Sequence, residues 1–130
     1  MDENAIGTIV VDAAVAVHRA LGPGLLESVY EVVFAHELEK RGLAVERQVG
    51  VPIRYGGIVF DEGFRADLVV EGKVVIELKS VENLTAAHRK QIQTYLRLTG
   101  CALGYLLNFG GALMKDGIVR AVNGLQEKLP

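Results

Sequence analysis

The residues FRADLVVEGKVVIELK, from Phe64 to Lys79, carry the strongest structural signal in this sequence. Residues 64–70 and 74–78 are largely apolar on both faces, which is typical of strands in the middle of a sheet. The three residues between them, Glu-Gly-Lys at 71–73, indicate a turn. The sequence therefore predicts a hairpin at the centre of the fold.

Two carboxylates interrupt these apolar runs, Asp67 in the first and Glu77 in the second. Burying an ionised carboxylate is costly unless a partner compensates it. If Asp67 lies opposite Glu77, both side chains leave one face of the sheet, and Lys79 leaves that face too. Two carboxylates beside retained waters and phosphate oxygens suit a hard cation such as Mg²⁺.

This geometry depends on the register of the hairpin. A slip of one residue would turn Asp67 to the other face, unless a bulge restored the alignment. The simpler alternative is structural: Asp67 forms an ordinary ion pair with Arg65 or Lys79, and Glu77 marks an exposed face of the sheet.

The remaining pattern predicts an α/β domain with a mixed sheet. Apolar residues recur at helical spacing over 6–21 and 25–41, with Asp2 or Asn4 as the first cap and Gly-Pro-Gly at 22–24 as a break. A third helix, capped by Asn83 or Thr85 and ending near Thr99, is long enough to cross over to a parallel strand. The other predicted strands cover residues 45–55, 58–60, 101–109 and 114–122, which gives the order ααββββαββ.

Residues 24–30, GLLESVY, resemble the signature of the GxxExxY protein family, a branch of the PD-(D/E)XK nuclease superfamily. The likeness covers nearly the whole chain and includes residues 18–24, 65–68, 76–79 and 91–96. Ala66 stands where the motif's name has proline, which is a normal variation in the superfamily. The resemblance implies a restriction-endonuclease-like core, with a central mixed β-sheet flanked by helices.

The resemblance also implies roles for individual residues. Asp67 and Glu77 would be metal ligands, and Lys79 would be the lysine of the motif. Glu27 would be an additional acidic residue of the catalytic and metal site. The cofactor would be Mg²⁺ or Mn²⁺.

Four further residues would support the site. Gln91 and Tyr95 match a glutamine-tyrosine pair found after the lysine in many of these nucleases, and their spacing puts them on one helix face. Tyr30 shares a helix face with Glu27. Glu27, Tyr30 and Tyr95 each have a plainer explanation, because the helix dipole favours an acid in a first turn and tyrosines often pack in a core. His18 belongs to the matched segments, but a buried histidine with a structural partner is an equal alternative.

Charge limits the kind of nucleic-acid binding that we expect. The formal net charge is -2, and non-specific DNA affinity comes largely from cations that release counterions. Binding must therefore be local. Arg65 and residues 88–90 are candidates for phosphate contact, as are Arg97, Lys115 and Arg120. The simpler alternative is that these charges lie on a solvated face. DNA is favoured over RNA as the partner.

Length and composition indicate the number of domains, the cellular compartment and the oligomeric state that we expect. A chain of 130 residues suits one domain, and we expect residues 1–130 to form it. Its apolar stretches are interrupted before about 20 residues and its start lacks a basic leader, so we expect a cytoplasmic protein with no membrane contact. The apolar content favours a homodimer.

Together these patterns predict a metal-dependent phosphodiesterase that hydrolyses nucleic acid. The alternative is a non-catalytic nucleic-acid-binding or adaptor domain with the same fold. Hydrolysis of another small phosphate ester is a third possibility.

Overall fold

The computed structural model describes residues 1–125. Within these residues, three α-helices and five strands follow one another in the order ααβββαββ. The helices are α1 (Glu3–Leu21), α2 (Glu27–Lys40) and α3 (Ala86–Thr99), with a 3₁₀ turn at Met114–Gly117, and the strands are β1 (Val45–Tyr55), β2 (Ile58–Val70), β3 (Val74–Lys79), β4 (Leu103–Asn108) and β5 (Ile118–Val122).

Local sequence accounts for the helix ends. The Asp2 side chain caps α1 by accepting a hydrogen bond of 2.8 Å from the Ala5 N–H, which confirms one of the two predicted caps. Thr85 caps α3, and the His88 side chain accepts from the Thr85 N–H to complete a capping box. Gly100 then ends α3 in the left-handed conformation that glycine adopts without a steric penalty.

The strands form a single sheet in the order β1-β2-β3-β4-β5. β3 and β4 pair in parallel, and α3 makes that crossover; the other neighbouring strands in residues 1–125 are antiparallel. The predicted α/β class, the mixed sheet and the helical crossover are all confirmed.

Two predicted strand boundaries are wrong. Residues 58–70 form one continuous strand, because the Asp-Glu-Gly segment at 61–63 is accommodated opposite Pro52 by a shift in register. Three strands therefore precede α3, not four. At the other end, Met114–Gly117 forms a 3₁₀ turn, and the last strand begins only at Ile118.

The main core lies between the sheet and the pair α1 and α2, and a smaller one lies under α3. Tyr30, Phe34 and Phe109 are fully buried at the centre of the main core. By length and composition α1 is also apolar enough to cross a membrane, contrary to our reading of the apolar stretches. Buried helices of folded domains meet the same test, and Ile6 and Val10 of α1 are fully buried here.

Candidate functional site

The strands β2 and β3 separate soon after their turn. They pair at Val70↔Val74, Val69↔Val75 and Leu68↔Ile76, after which β2 continues along β1 and β3 along β4. The next two facing residues are Asp67 and Glu77. We call this point of separation the fork.

Side chains replace main-chain pairing at the fork. The Asp67 N–H donates to Oε1 of Glu77 at 3.1 Å, and the Leu78 N–H donates to Oδ2 of Asp67 at 2.8 Å. Each carboxylate thus reaches across to the opposite strand. The predicted opposition of Asp67 and Glu77 is present, and it places both carboxylates in one gap.

The structure does not show the simpler alternative, in which Asp67 forms an ordinary ion pair with Arg65 or Lys79 and Glu77 is exposed. Arg65 forms its ion pair with Glu62 on the exposed part of β2, not with Asp67. Within residues 1–125, no hydrogen bond or ion pair holds the ammonium group of Lys79. Glu77 is only 5% exposed, so it does not mark an open face of the sheet.

Burial makes the charge of Glu77 unfavourable. Desolvation, followed by the nearby negative charge of Asp67, raises the pKa of Glu77 to about 8. The Asp67 N–H and the Lys79 charge act in the opposite direction but do not cancel these effects. A cation between the carboxylates would neutralise the negative charge of Glu77 and Asp67, which the Asp67 N–H and Lys79 offset only in part.

A cavity of about 180 Å³ opens beside Asp67 on the α2 side of the sheet. Gln48 crosses it, since its side-chain amide donates to Oδ1 of Asp67 at 3.4 Å and also to Glu31. Glu31 in turn accepts from Arg47 at 3.1 Å. The lining residues are Glu27, Ser28, Glu31, Gln48, Asp67 and Leu78.

Glu27, a predicted site residue, lines this cavity together with Glu31, which the sequence analysis did not single out. Glu31 lies one helical turn after Glu27, and this spacing of four residues was the available signal. It is 8% exposed and linked through Gln48 to Asp67. Glu27, in contrast, is exposed at the start of α2.

Tyr30 lies in the core and not in the cavity. Its hydroxyl donates to the Gly22 carbonyl at 2.5 Å and accepts from the Leu25 N–H at 3.2 Å, while its ring stacks on Phe109. The Ser80 hydroxyl, just beyond β3, donates to the Leu25 carbonyl at 2.6 Å. The segment before Glu27 is therefore tied both to the core and to the end of β3.

Tyr95 approaches the carboxylates from the α3 side. Its ring stacks on Phe64 with a centroid separation of 3.9 Å. Partial burial, followed by the charges of Glu77 and Asp67, raises the pKa of the Tyr95 hydroxyl. Gln91, one turn earlier on α3, is half-buried.

The structure does not bring His18 or Arg65 to the fork. His18 is 7% exposed, and its Nε2 lies 2.9 Å from the Gly111 carbonyl oxygen. It lines a separate cavity of about 420 Å³ at the end of α1. Arg65 is exposed beside Glu62.

The donor set at the fork can be compared with the needs of a cation. Among residues 1–125, no cluster of three or more His, Cys, Asp or Glu side chains is arranged to hold a metal. Mg²⁺, however, usually takes one or two carboxylates and completes its shell with water and substrate oxygens. The pair formed by Asp67 and Glu77 fits this smaller requirement.

Comparison with known protein families agrees with the observed fold. Residues 4–121 match the family model of the PD-(D/E)XK nuclease superfamily. The chain belongs to this superfamily. Its five-stranded mixed sheet with flanking helices is consistent with the restriction-endonuclease-like fold predicted from the sequence.

One solved structure supports the fold alone. The protein in "Crystal structure of SSO0001" superposes with a TM-score of 0.54 at 22% identity, over 91% of this chain and 67% of that one. No curated protein sequence matches significantly. PD-(D/E)XK proteins in general use divalent metals and act on nucleic acids.

Proposed function

We propose that this PD-(D/E)XK protein is a metal-dependent nuclease that hydrolyses phosphodiester bonds, with DNA favoured over RNA. The observation that carries the proposal is the fork, where Asp67 and Glu77 meet in one gap beside Lys79. The likeness of residues 24–30 to the GxxExxY signature favours assignment to that branch. We further propose a cytoplasmic homodimer.

In this proposal Asp67 and Glu77 would hold Mg²⁺ or Mn²⁺, with Glu27 approaching across the cavity. The chemistry supplied by such an ion would be Lewis acidity toward the phosphodiester and a lower pKa for a water nucleophile. Lys79 has no competing ion pair within residues 1–125, so its ammonium is available to orient the water or to stabilise negative charge developing on phosphate.

Other side chains would position these groups. Gln48 holds Asp67 from the α2 side and is itself held by Glu31. Tyr95 and Gln91 would contact the substrate backbone or Lys79 from α3. Tyr30 supports Glu27 indirectly, since its hydroxyl fixes the loop that precedes α2.

The direct test is cleavage of single- and double-stranded DNA and RNA with Mg²⁺ or Mn²⁺, using wild type, Glu77→Ala and Lys79→Ala. Lys40→Ala is a matched control, because this lysine is exposed on α2 and has only a 4.0 Å contact with Glu37. We expect activity to require the metal, to survive in the control and to be lost in both site variants. Activity that persisted in both would refute the assigned roles.

The alternative is a non-catalytic binding or adaptor domain, and calorimetry separates it from the nuclease. A nuclease binds Mn²⁺ in the wild type but not in the doubly substituted Asp67→Asn, Glu77→Gln protein. An adaptor binds nucleic acid equally well in EDTA and in Mn²⁺ and shows no metal titration. Competition of nucleotides against oligonucleotides tests for a small phosphate ester substrate.

A further inference from the structure

The cavity that His18 lines at the carboxyl end of α1 is separate from the fork. Its volume is about 420 Å³, and it shares no lining residue with the cavity beside Asp67. Pockets for small organic ligands commonly measure about 300 to 1,000 Å³, so a ligand of this kind fits. We call it the α1 cavity; its lining residues come from the ranges 15–23 and 112–115.

Hydrogen bonds hold both walls of the α1 cavity in place. On the helix side, the Gly22 N–H ends α1 by donating to the His18 carbonyl at 2.8 Å. On the other side, the loop after β4 is held by Asn108, whose Oδ1 accepts from the Gly110 N–H at 3.0 Å. Nε2 of His18 joins the two walls, because it lies 2.9 Å from the Gly111 carbonyl oxygen. The cavity is therefore formed before a ligand enters, as is usual for binding sites.

Among the described residues that line the α1 cavity, all the ionisable ones are basic: His18, Arg19 and Lys115. Arg19 and Lys115 are exposed, and within residues 1–125 neither forms an ion pair or a hydrogen bond. The dipole of α1 favours Arg19 in its last turn, but it does not account for Lys115, which belongs to the 3₁₀ turn. In a chain whose formal net charge is -2, this local excess of positive charge favours an anionic ligand.

The tautomer of His18 sets a second requirement. The Gly111 carbonyl can only accept, so Nε2 must carry the proton of their hydrogen bond. Nδ1 of the neutral ring is then an acceptor, and it has no partner within residues 1–125. Because no fully buried side-chain nitrogen or oxygen in this range lacks a partner, Nδ1 must be accessible, and the cavity that the ring lines gives the access. A ligand can therefore donate an N–H or O–H to it.

The remaining side chains of the α1 cavity are apolar, and they set a third requirement. Val15, Pro23, Leu113 and Met114 form this part of the wall. A bare inorganic anion would gain nothing from it, whereas a flat ring would bury apolar surface there. The lining thus suits an anion that also carries a ring and an N–H or O–H donor. A nucleotide combines all three in its phosphate, its base and its sugar hydroxyl or base amino groups.

We propose that the α1 cavity is a nucleotide-binding site. The phosphate contacts Arg19 and Lys115, the base packs on the apolar wall, and a hydroxyl or amino group donates to Nδ1 of His18. A free nucleotide and the phosphorylated end of a nucleic-acid chain present this same chemistry. The inference gives His18 a role outside the fork and does not depend on nuclease activity.

The test is isothermal titration calorimetry of the whole chain with each common nucleoside 5′-monophosphate, in EDTA so that no metal at the fork contributes. We expect saturable binding of at least one of them with a dissociation constant below about 1 mM. The matching nucleoside and inorganic phosphate should each bind at least about tenfold more weakly, because each lacks part of the required chemistry. Either one binding as tightly as the monophosphate would overturn the proposal.

A charge-matched pair of variants locates the site. Arg19→Ser combined with Lys115→Ser should weaken binding at least about tenfold, because it removes two charge-assisted contacts with the phosphate. Lys40→Ser combined with Arg54→Ser is the control: it removes the same charge from exposed positions outside the cavity and should change the dissociation constant by less than about twofold. Equal losses in the two double variants would contradict the assignment.

Blocking the α1 cavity gives a test that leaves the charge unchanged. Ala112→Trp places a large ring at an exposed position of the wall and should abolish binding, with urea unfolding to verify the fold. Short oligonucleotides with and without a 5′-phosphate identify the source of the ligand. Binding of monophosphates alone indicates a free nucleotide, and tighter binding of the phosphorylated oligonucleotide indicates a chain end. If neither binds below about 1 mM, or if the blocked variant binds normally, the proposal is wrong, whatever cleavage assays show for the fork.

Discussion

Glu77 and Asn108 are buried polar side chains near the ends of neighbouring parallel strands, and they differ in their hydrogen-bond partners. They are 5 and 4% exposed. The Asn108 side chain makes three hydrogen bonds, two with the main chain of Val81 and one with the Gly110 N–H. Glu77 accepts one, from Asp67, whose own negative charge lies close by.

The contrast supports our proposal that Glu77 belongs to a functional site, whereas Asn108 has a structural role. A buried amide with all its partners stabilises the fold at the end of β4. A buried carboxylate next to another carboxylate opposes folding unless it binds a proton or a cation. Buried acids with strongly raised pKa values are frequent at functional sites. We therefore propose the fork, and not Asn108, as the catalytic site.

The largest expected effect is on catalysis. Glu77→Gln keeps the shape and an acceptor for the Asp67 N–H but removes the negative charge. We expect cleavage in Mg²⁺ to fall by about 10³-fold or more, equivalent to about 4 kcal/mol, with no loss of stability at pH 8. Initial rates on a labelled duplex and urea unfolding measure the two quantities. Full activity in this variant would remove Glu77 from the proposed site.

The next effect is on stability, at Asn108. Asn108→Ala leaves the Val81 N–H and carbonyl and the Gly110 N–H without their partner, so we expect a loss of about 2 to 4 kcal/mol. Urea denaturation measures it. Asn108→Asp is the control at low pH, where its protonated carboxyl retains both an acceptor and a donor and should lose less. An Asn108→Ala protein as stable as the wild type would contradict the structural role.

The pH dependence of the stability of the metal-free protein tests the burial of the Glu77 charge. Because the pKa of Glu77 is raised to about 8, the native state binds more protons than the unfolded state between about pH 4.5 and 8. This group therefore lowers stability progressively as pH rises through that window, by up to about 5 kcal/mol at about 1.4 kcal/mol per pH unit. In EDTA, Glu77→Gln should show a flatter profile than the wild type. Identical profiles would show that Glu77 is not desolvated in solution.

The smallest effect is expected at Tyr30. Tyr30→Phe keeps the ring stacked on Phe109 but removes the hydroxyl that bonds Gly22 and Leu25, so the cost should be about 1 to 2 kcal/mol. Urea denaturation gives the value, and the rate of cleavage shows whether Glu27 is displaced. Phe34→Leu, in the same core, controls for general loosening. A loss of activity without loss of stability would assign Tyr30 a direct role instead.

Much of the fold was predictable because local pattern and covalent geometry dictate it. Helical spacing located α1 and α2, capping residues located α3, and the turn at 71–73 between two apolar runs located the central hairpin. The continuity of β2 was not predictable. The Asp-Glu-Gly segment at 61–63 has the composition of a turn, and only its pairing opposite Pro52 keeps it within the strand.

The sequence by itself identified Asp67 and Glu77 as carboxylates of the central hairpin, but it left their register open, because strands that are apolar on both faces do not favour one register over another. The structure fixed the register in which they face each other. Only the tertiary structure decided what surrounds them. Packing of α2 on the sheet brings Glu31 and Gln48, 17 residues apart, into contact at Asp67 and turns Tyr30 into the core. No local periodicity encodes such contacts, because they depend on how separate elements dock against one another.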